Sequence, residues 1–416
     1  FYKDENIYII ILYLDKGDAM YKIAVIGRGL IGSAAGRHLS MISDSVAVIG
    51  PNEPKDPVKH DGVFASHYDE GRMVRFVDPH IPWSITAKRS IERFSQLEID
   101  SGINFFTSSG YLGLQGPEFS DYLEGSELSG KTVDANFNRI NVDEIRKDYP
   151  FLSIDDNTVG LVEAGLAGHI SPRNMVKAQT KMARKYGADI IEHEVEKISL
   201  NNKVVEITLR NNEKLLAEQV LVATGAFTDS CDLLPKSLNL IVYGRTVVLA
   251  EIDEHVGKIL SNMTTMYVAD SNAYILPPIK YPDGKTYLKI GIGSKSDKIL
   301  NSRSDLIEWF QGKGSEKDFR DFREYISTLI PSLQECENWH TKSCAVTQTS
   351  TGLPYIDYVV EDRIAVATGG NGKAAKSADD WGLFAAQMMV NDNIDHPISH
   401  EELQLPKSEG NIPRDL

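Results

Sequence analysis

The chain has 416 residues, of which 42% are hydrophobic and 25% are charged. These are ordinary globular values, so they exclude collagen, a long coiled coil and extended disorder, and the length leaves room for about two or three domains. Lys and Arg total 44 against 59 Asp and Glu, and the net charge of −15 argues against a nucleic-acid or anionic-membrane partner.

The cysteines limit the chemistry further. Cys231, Cys336 and Cys344 are too few for a disulfide framework and lack the spacing of a zinc site, so we expect no metal. For Cys231 and Cys336 we expect the common role of a small buried hydrophobic side chain. The composition favours a reduced, cytoplasmic protein.

The N-terminus precedes the first fold signal. Residues 7–14 are apolar, but this run is far shorter than the roughly 20 residues that cross a bilayer. The segment before it lacks the basic start of a signal peptide. We expect no membrane contact and interpret residues 1–19 as an N-terminal extension, with an added edge strand as the alternative.

Short apolar runs that end in glycine are typical of buried parallel strands. The first of them begins a strand–turn–helix–strand unit, and two more follow far along the chain. Strands of one type at such distances predict a single α/β domain interrupted by insertions. The predicted strands are 22–27, 45–49, 219–225 and 363–370, and the predicted helices are 33–42 and 376–390.

The insertions have a different pattern. Alternating polar and apolar residues predict antiparallel strands within 105–115, 203–209, 244–252 and 286–293. Residues 279–286 contain an Asp-Gly pair typical of a hairpin tip, and residues around 300–330 have a helical pattern.

A glycine motif follows the first strand. Gly27 permits a tight turn, Gly29 lets the backbone approach a pyrophosphate, and Gly32 lets the helix pack closely on the strand. The backbone N–H groups at Leu30 and Ile31, where the helix starts, would then face the phosphates. We predict dinucleotide binding, with a tight βα turn without ligand as the alternative.

An acidic residue normally follows the second strand of such a unit and holds the ribose hydroxyls. This chain has Gly50 at that place and Glu53 three residues later. Glu53 is therefore the candidate for the ribose contact.

The glycine motif alone does not separate NAD from FAD, but later segments do. Residues 220–230 resemble the strand and turn, with Thr224 and Gly225, that close over FAD in the flavoprotein amino-acid oxidases. Residues 162–178 resemble the linker that returns to the FAD domain in those enzymes, and Val195 would lie beside the adenine through its backbone.

Residues 64–76 (FASHYDEGRMVRF) carry the most specific pattern. They resemble the sarcosine oxidase and N-methyl amino-acid oxidase family, in which Ser-His precedes two arginines at fixed spacing. The resemblance implies that one arginine lies against the flavin and that the other binds the substrate carboxylate with its planar fork. The alternative is a surface arginine paired with Asp69 or Glu70. The matching residues are Ser66, His67, Arg72 (flavin) and Arg75 (carboxylate).

Two strands of the insertions support this resemblance. Residues 286–293 resemble the family strand whose lysine activates oxygen, which implies that role for Lys289. A cation near the flavin would stabilise superoxide as it forms. The alternative is a lysine that points to solvent. Residues 273–277 resemble the aromatic wall of the family site, so Tyr274 is a substrate-site candidate.

The last match covers residues 344–357 and 369–376. The first of these segments resembles the stretch in which a cysteine is joined to the flavin 8α-methyl, which implies a thioether at Cys344. The second resembles a glycine-rich turn beside the flavin ring. There Gly369, Gly370 and Gly372 would approach the ring, and Lys376, next to them, would be the second carboxylate cation.

Two positions depart from the family. Gly293 and Lys373 stand where the family has histidines, so the pocket near the substrate amine is enlarged or carries different polarity. Sarcosine itself is therefore not predicted as the substrate. Lys373 could bind a second carboxylate, although a solvated loop lysine is the favoured alternative.

The expected fold is a two-domain α/β flavoprotein. A discontinuous FAD-binding domain of the Rossmann-like, glutathione-reductase type would comprise residues 20–80, 161–240 and 340–400. A substrate domain on a mixed or antiparallel sheet would comprise residues 81–160 and 241–339.

The resemblance implies an oxidase that converts the C–N bond of a small, secondary or N-substituted amino acid to an imine. FAD, covalently held by Cys344, would accept the electrons and pass them to molecular oxygen to give hydrogen peroxide. Two alternatives stay open: a dehydrogenase with another acceptor, and a non-catalytic FAD- or NAD-binding subunit. A nicotinamide dehydrogenase is less favoured because it leaves the flavin-type segments unexplained.

Overall fold

The computed structural model describes residues 20–116, 120–201, 203–294, 297–390 and 394–406. Residues 1–19, interpreted above as an extension, lie outside the described residues. The strands are β1 (Met20–Ile26), β2 (Val46–Ile49), β3 (Arg72–Val74), β4 (Phe106–Thr107), β5 (Tyr111–Gln115), β6 (Phe137–Ile140), β7 (Val159–Glu163), β8 (Gly168–Ile170), β9 (Asp189–Ile191), β10 (Val195–Asn201), β11 (Val204–Leu209), β12 (Lys214–Val222), β13 (Ile241–Glu251), β14 (Thr265–Val268), β15 (Ala273–Lys280), β16 (Thr286–Ile292), β17 (Trp339–Gln348), β18 (Tyr355–Val360) and β19 (Ile364–Thr368).

The α-helices lie between these strands and after them. They are α1 (Leu30–Ile42), α2 (Ile81–Ser101), α3 (Ser120–Thr132), α4 (Val142–Asp148), α5 (Pro172–Lys185), α6 (Glu254–Ile259), α7 (Arg303–Gln311), α8 (Glu316–Leu329) and α9 (Ala378–Val390). Among the described helices, none combines the length and the apolar character needed to cross a membrane.

The first sheet has the strand order β10-β11-β12-β1-β2-β9, with β19 beside β12 and β18 beside β19. Its centre is parallel: β1 pairs with β2 and β12, and β12 pairs with β19. These strands are apolar on both faces because α1 and α9 cover one side and a second core cluster covers the other. The predicted α/β class is confirmed.

The second sheet has the order β17-β13-β16-β15-β14-β5-β7-β6. Its neighbouring strands are antiparallel except for the parallel pair β14 and β5. The predicted hairpin joins β15 to β16, and α8 packs its apolar residues Phe322 and Ile326 into the core of this sheet. The second sheet is therefore mixed, as expected.

A small third sheet, with the order β3-β8-β4, carries the arginine segment. Arg72 on β3 pairs with Ile170 on β8, which anchors the segment in the middle of the molecule.

Two adjacent carboxylates at the start of α9 are fully buried. Asp379 accepts from Arg93 at 2.6 Å, and Asp380 accepts from Arg93 at 2.7 Å and from His396 at 2.8 Å. Burial alone would raise the pKa of Asp379, but the neighbouring His38 and arginines hold it well below its ordinary value. These ion pairs fasten α9 to α2 and the C-terminal segment.

Candidate active site

A single cavity of about 670 Å³ collects most of the predicted site residues. It runs from the glycine turn after β1 to the glycine turn after β19. Gly32, Glu53 and Lys289 are the predicted residues that do not line it. The predicted residues that line it are Gly27, Gly29, Leu30, Ile31, Ser66, His67, Arg72, Arg75, Val195, Thr224, Gly225, Tyr274, Cys344, Gly369, Gly370, Gly372 and Lys376.

The glycine motif has the geometry that its spacing predicts. Gly27 has a φ of 106°, in the left-handed region, and a Cβ there would lie 2.3 Å from the Ala223 carbonyl oxygen. A Cβ on Gly32 would lie 1.9 Å from the Gly27 carbonyl oxygen, which explains why this glycine is behind the cavity. By contrast, a Cβ on Gly29 would meet no atom within 4 Å. The turn therefore has tight packing behind it and open space in front.

Glu53, the candidate for the ribose contact, is engaged by another residue. The Glu53 carboxylate accepts two hydrogen bonds from Arg173, at 2.6 and 2.8 Å, so a ribose contact from Glu53 would require this ion pair to open. Arg28, inside the glycine motif, lines the cavity instead and donates to Asn52 at 2.5 Å. A Cβ at position 50 would lie 2.9 Å from the backbone nitrogen of Arg28, so the glycine leaves room for Arg28. The motif spacing treats Arg28 as variable, and for this reason sequence reasoning missed it.

His67 provides a test of whether a cofactor fits. Its Nδ1 atom is buried and has no hydrogen-bond partner among the described residues. Burial, together with Arg173, Arg28 and Arg72, lowers the pKa of His67 to about 3, so the imidazole is neutral. A Cβ on Gly225, opposite, would also meet no atom within 4 Å. An unsatisfied polar atom and two open glycine positions in one cavity fit a bound dinucleotide.

Cys344 lies between two arginines on this cavity. Its Sγ is 3.5 Å from a guanidinium nitrogen of Arg72. In the antiparallel pairing of β13 with β17, Arg245 is the residue opposite Cys344. Of the other cysteines, Cys336 is buried in the core of the second sheet, where burial raises its pKa to about 11. Cys231 is half-buried and lines the same cavity.

Four charged groups on this cavity form what we call the clamp cluster: Arg75, Asp78, Lys373 and Lys376. The buried Asp78 carboxylate is 2.5 Å from Lys376 Nζ, 3.2 Å from Lys373 Nζ and 3.6 Å from the Arg75 guanidinium. All four residues line the cavity. Asp78 was missed from the sequence because no motif includes it.

Two members of the clamp cluster, Lys376 and Asp78, have pKa values below their ordinary ranges. Burial, with Arg75 and Lys373, lowers the pKa of Lys376 while Asp78 opposes them, and the resulting pKa is about 7. Burial would raise the pKa of Asp78, but Lys373 and Lys376 hold it well below its ordinary value. Arg75 also rests 4.7 Å from the Tyr111 ring and donates to Tyr122 at 3.1 Å. The cavity thus carries more positive than negative charge at the clamp cluster.

Lys289 is completely buried, which excludes the alternative that it points to solvent. Its ammonium donates to Asp69 at 2.5 Å and to the Gly71 carbonyl at 2.6 Å. It lies 5.6 Å from the ring centre of Tyr274, which does line the cavity. Lys289 is therefore one layer behind the cavity wall.

The two departures from the family pattern have local explanations. A Cβ at Gly293 would lie 2.6 Å from the Asn272 side-chain nitrogen and 3.4 Å from the Arg245 guanidinium, so these two side chains fill that corner. Lys373 contacts Asp78 and lies 3.2 Å from His80 Nδ1. It is therefore a member of the clamp cluster and not a freely solvated loop lysine.

Comparisons with known proteins agree with this architecture. N-methyl-L-tryptophan oxidase from Yersinia pestis (strain Pestoides F) is 22% identical over 379 residues, which cover 88% of this chain and 94% of that protein. Glycine oxidase from Geobacillus kaustophilus has a TM-score of 0.73 at 19% identity, covering 94% of this chain and 100% of that chain. L-proline dehydrogenase from P. horikoshii has a TM-score of 0.71 at 17% identity, covering 91% and 96%.

A family model also matches most of the sequence. The model describes FAD dependent oxidoreductases of the DAO type, and it spans residues 22–387. This range includes both glycine turns, the arginine segment and the clamp cluster. The chain belongs to the DAO family of FAD dependent oxidoreductases, which confirms the family predicted from its sequence.

Proposed function

We propose that this enzyme oxidises the C–N bond of a small, secondary or N-substituted amino acid to an imine and reduces oxygen to hydrogen peroxide. The observation that carries the proposal is the clamp cluster in a cavity that is also lined by the glycine turn after β1. Bound FAD would supply the two-electron acceptor and pass the electrons on. The names of the oxidase relatives support the same reaction class.

Residues from both glycine turns would hold the cofactor. The N–H groups at the start of α1 would bind the pyrophosphate, and His67 Nδ1 and Arg72 would face the ring system. We propose a thioether at Cys344, since its sulfur lies on the cavity beside Arg72. The three free cysteines support a reducing compartment, and we propose the cytoplasm.

The clamp cluster would bind and orient the substrate. Arg75 is fixed by Tyr111 and Tyr122, so its planar guanidinium is preorganised for a carboxylate. Lys376 and Lys373 would add charge from the other side. The substrate must react as the neutral amine, because a protonated nitrogen has no lone pair to drive hydride departure. The excess positive charge favours that form by lowering the pKa of the amine.

Lys289 would serve the oxygen step. Its ammonium lies behind Tyr274 and next to Arg72, where a positive charge stabilises negative charge that develops on oxygen. One observation favours a second candidate, a dehydrogenase with another acceptor: Asp69 already compensates the Lys289 charge at 2.5 Å. The name of the proline dehydrogenase neighbour is consistent with that candidate.

Anaerobic mixing with sarcosine, N-methyl-L-tryptophan, glycine and L-proline tests the function directly. At least one amine should bleach the flavin colour, and admitting oxygen should restore it with release of peroxide. Bleaching without reoxidation by oxygen would favour the dehydrogenase, and no bleaching with any amine would leave a non-catalytic flavoprotein.

Acid precipitation tests the covalent link. The yellow colour should stay with the protein pellet in the wild type and in Cys231→Ser, which alters the other cysteine on the cavity. It should move to the supernatant in Cys344→Ser. Colour in the wild-type supernatant would contradict the thioether.

A further inference from the structure

Asp69 is the centre of a buried polar group behind the cavity wall. It accepts from Lys289 Nζ at 2.5 Å, from the Tyr281 hydroxyl at 3.0 Å, and also from the Arg72 guanidinium. These partners come from β16, the end of the β15–β16 hairpin and β3. One carboxylate thus joins the arginine segment to the β15–β16 hairpin.

The charges around Lys289 depend on this carboxylate. The ammonium is completely buried, so it has lost its hydration, and Arg72 adds a second positive charge nearby. The Tyr274 ring, the Gly71 carbonyl and the Cys344 sulfur also face Lys289, whereas Tyr281 and Lys342 act on Asp69. Within the described residues, Asp69 is the carboxylate in contact with Lys289.

We propose that Asp69 is a positioning residue that keeps Lys289 charged near neutral pH and holds its ammonium against Arg72, behind the cavity wall. The link to the oxygen step rests on the proposed function. The statement about the charge of Lys289 does not depend on that function.

The proton affinities agree with the geometry. Burial and, next, the Arg72 charge lower the pKa of Lys289, Asp69 opposes both, and the resulting pKa is about 8. Burial would raise the pKa of Asp69, but Lys289 and Arg72 hold it far below its ordinary value. An opposite charge in contact shifts a pKa by about 1 to 3 units, so loss of Asp69 should leave Lys289 largely neutral at neutral pH.

The direct test is an NMR titration of holoenzyme labelled with [ε-13C]lysine, in which Lys289→Met identifies the Lys289 signal. In the wild type the signal should titrate near pH 8. In Asp69→Asn the midpoint should fall by about one pH unit or more. Tyr281→Phe is the matched control, because it removes a hydrogen bond to Asp69 without changing a charge, and it should shift the midpoint far less. Equal midpoints in Asp69→Asn and the wild type would overturn the proposal.

If Asp69→Asn does not fold, the titration of the wild type still tests the proposal. A Lys289 signal that is already neutral from about pH 6 upwards would show that Asp69 does not retain the proton. Asp69→Glu, which keeps the charge, should titrate like the wild type, and a midpoint as low as that expected for Asn would also count against the proposal.

A second readout separates this inference from the proposed function. The flavin is reduced with light instead of an amine, and its reoxidation by oxygen is followed at several pH values. The rate in Asp69→Asn should decline at a lower pH than in the wild type, in step with the Lys289 signal. If Lys289→Met reoxidises like the wild type, the proposed oxygen role fails, and the NMR midpoints still decide the role of Asp69.

Discussion

The clamp cluster should make anion binding depend on pH through one residue. Lys376 is almost fully buried and its pKa is about 7, whereas Arg75 stays charged at every accessible pH. A bound carboxylate interacts with the charged form of Lys376, so affinity should be highest below about pH 7 and should weaken as the pH rises. Acetate is a suitable probe, because it has no amine that would titrate in the same range.

The structure also sets the size of this effect. An anion in contact would raise the pKa of a lysine by about 1 to 3 units, which corresponds to a total loss of about 10- to 1,000-fold in affinity. Asp78 already lies 2.5 Å from Lys376 Nζ and shares its charge. We therefore expect the lower end, a total weakening of about tenfold, of which about fourfold falls between about pH 7 and pH 8.5.

Flavin absorbance changes at increasing acetate concentrations, repeated at each pH, measure the dissociation constant. Lys376→Met should bind acetate more weakly and with little dependence on pH. Lys289→Met is the matched control, because that lysine titrates near pH 8 but lies behind the cavity wall, so the wild-type slope should remain. A slope that persists in Lys376→Met would refute the assignment of the proton to Lys376.

Three further outcomes follow from contacts described above. Gly32→Ala should lower the melting temperature of the apoprotein, because the new Cβ would lie 1.9 Å from a backbone oxygen. Gly29→Ala should leave the melting temperature unchanged and weaken FAD binding, because a Cβ there meets no atom within 4 Å. Equal melting temperatures for the two variants would contradict the packing argument. Asp380→Asn should cost about 1 to 3 kcal/mol in urea unfolding, since the fully buried carboxylate accepts hydrogen bonds from the partly exposed Arg93 and from His396, and a loss near zero would show that these contacts are dispensable. Lys289→Met should slow flavin reoxidation by oxygen in stopped-flow measurements while sparing reduction by substrate; an unchanged rate would remove Lys289 from the oxygen step.

Local sequence patterns predicted the fold and the glycine turn of the candidate site. A turn such as that at Gly27 and Gly29 is defined by residues close in sequence, so its spacing alone indicates the backbone geometry. The alternating residues of 286–293 likewise predicted a strand, β16 (Thr286–Ile292). They did not indicate that residues 287–291 are all buried, since alternation is the pattern of a half-buried strand.

The two buried aspartates could not be predicted in this way. Asp69 meets Lys289 across 220 positions of sequence, and Asp78 meets Lys376 across 298. No local spacing encodes such pairs, since they depend on how the three sheets are arranged. Glu53 shows the reverse problem: its position along the chain suggested a ribose contact, but Arg173 on α5 binds its carboxylate.

The order of strands in the first sheet has a consequence for biosynthesis. Ile23 on β1 pairs with Gln219 on β12, and Val222 on β12 pairs with Val366 on β19. Contacts between residues so far apart in sequence form slowly, because a long loop must close before the strands can pair. A nascent chain that has not yet reached β19 presents an unpaired edge on β12 and lacks the second glycine turn. Cofactor capture should therefore be a late event that follows almost complete synthesis, and shorter translation products should depend on chaperones.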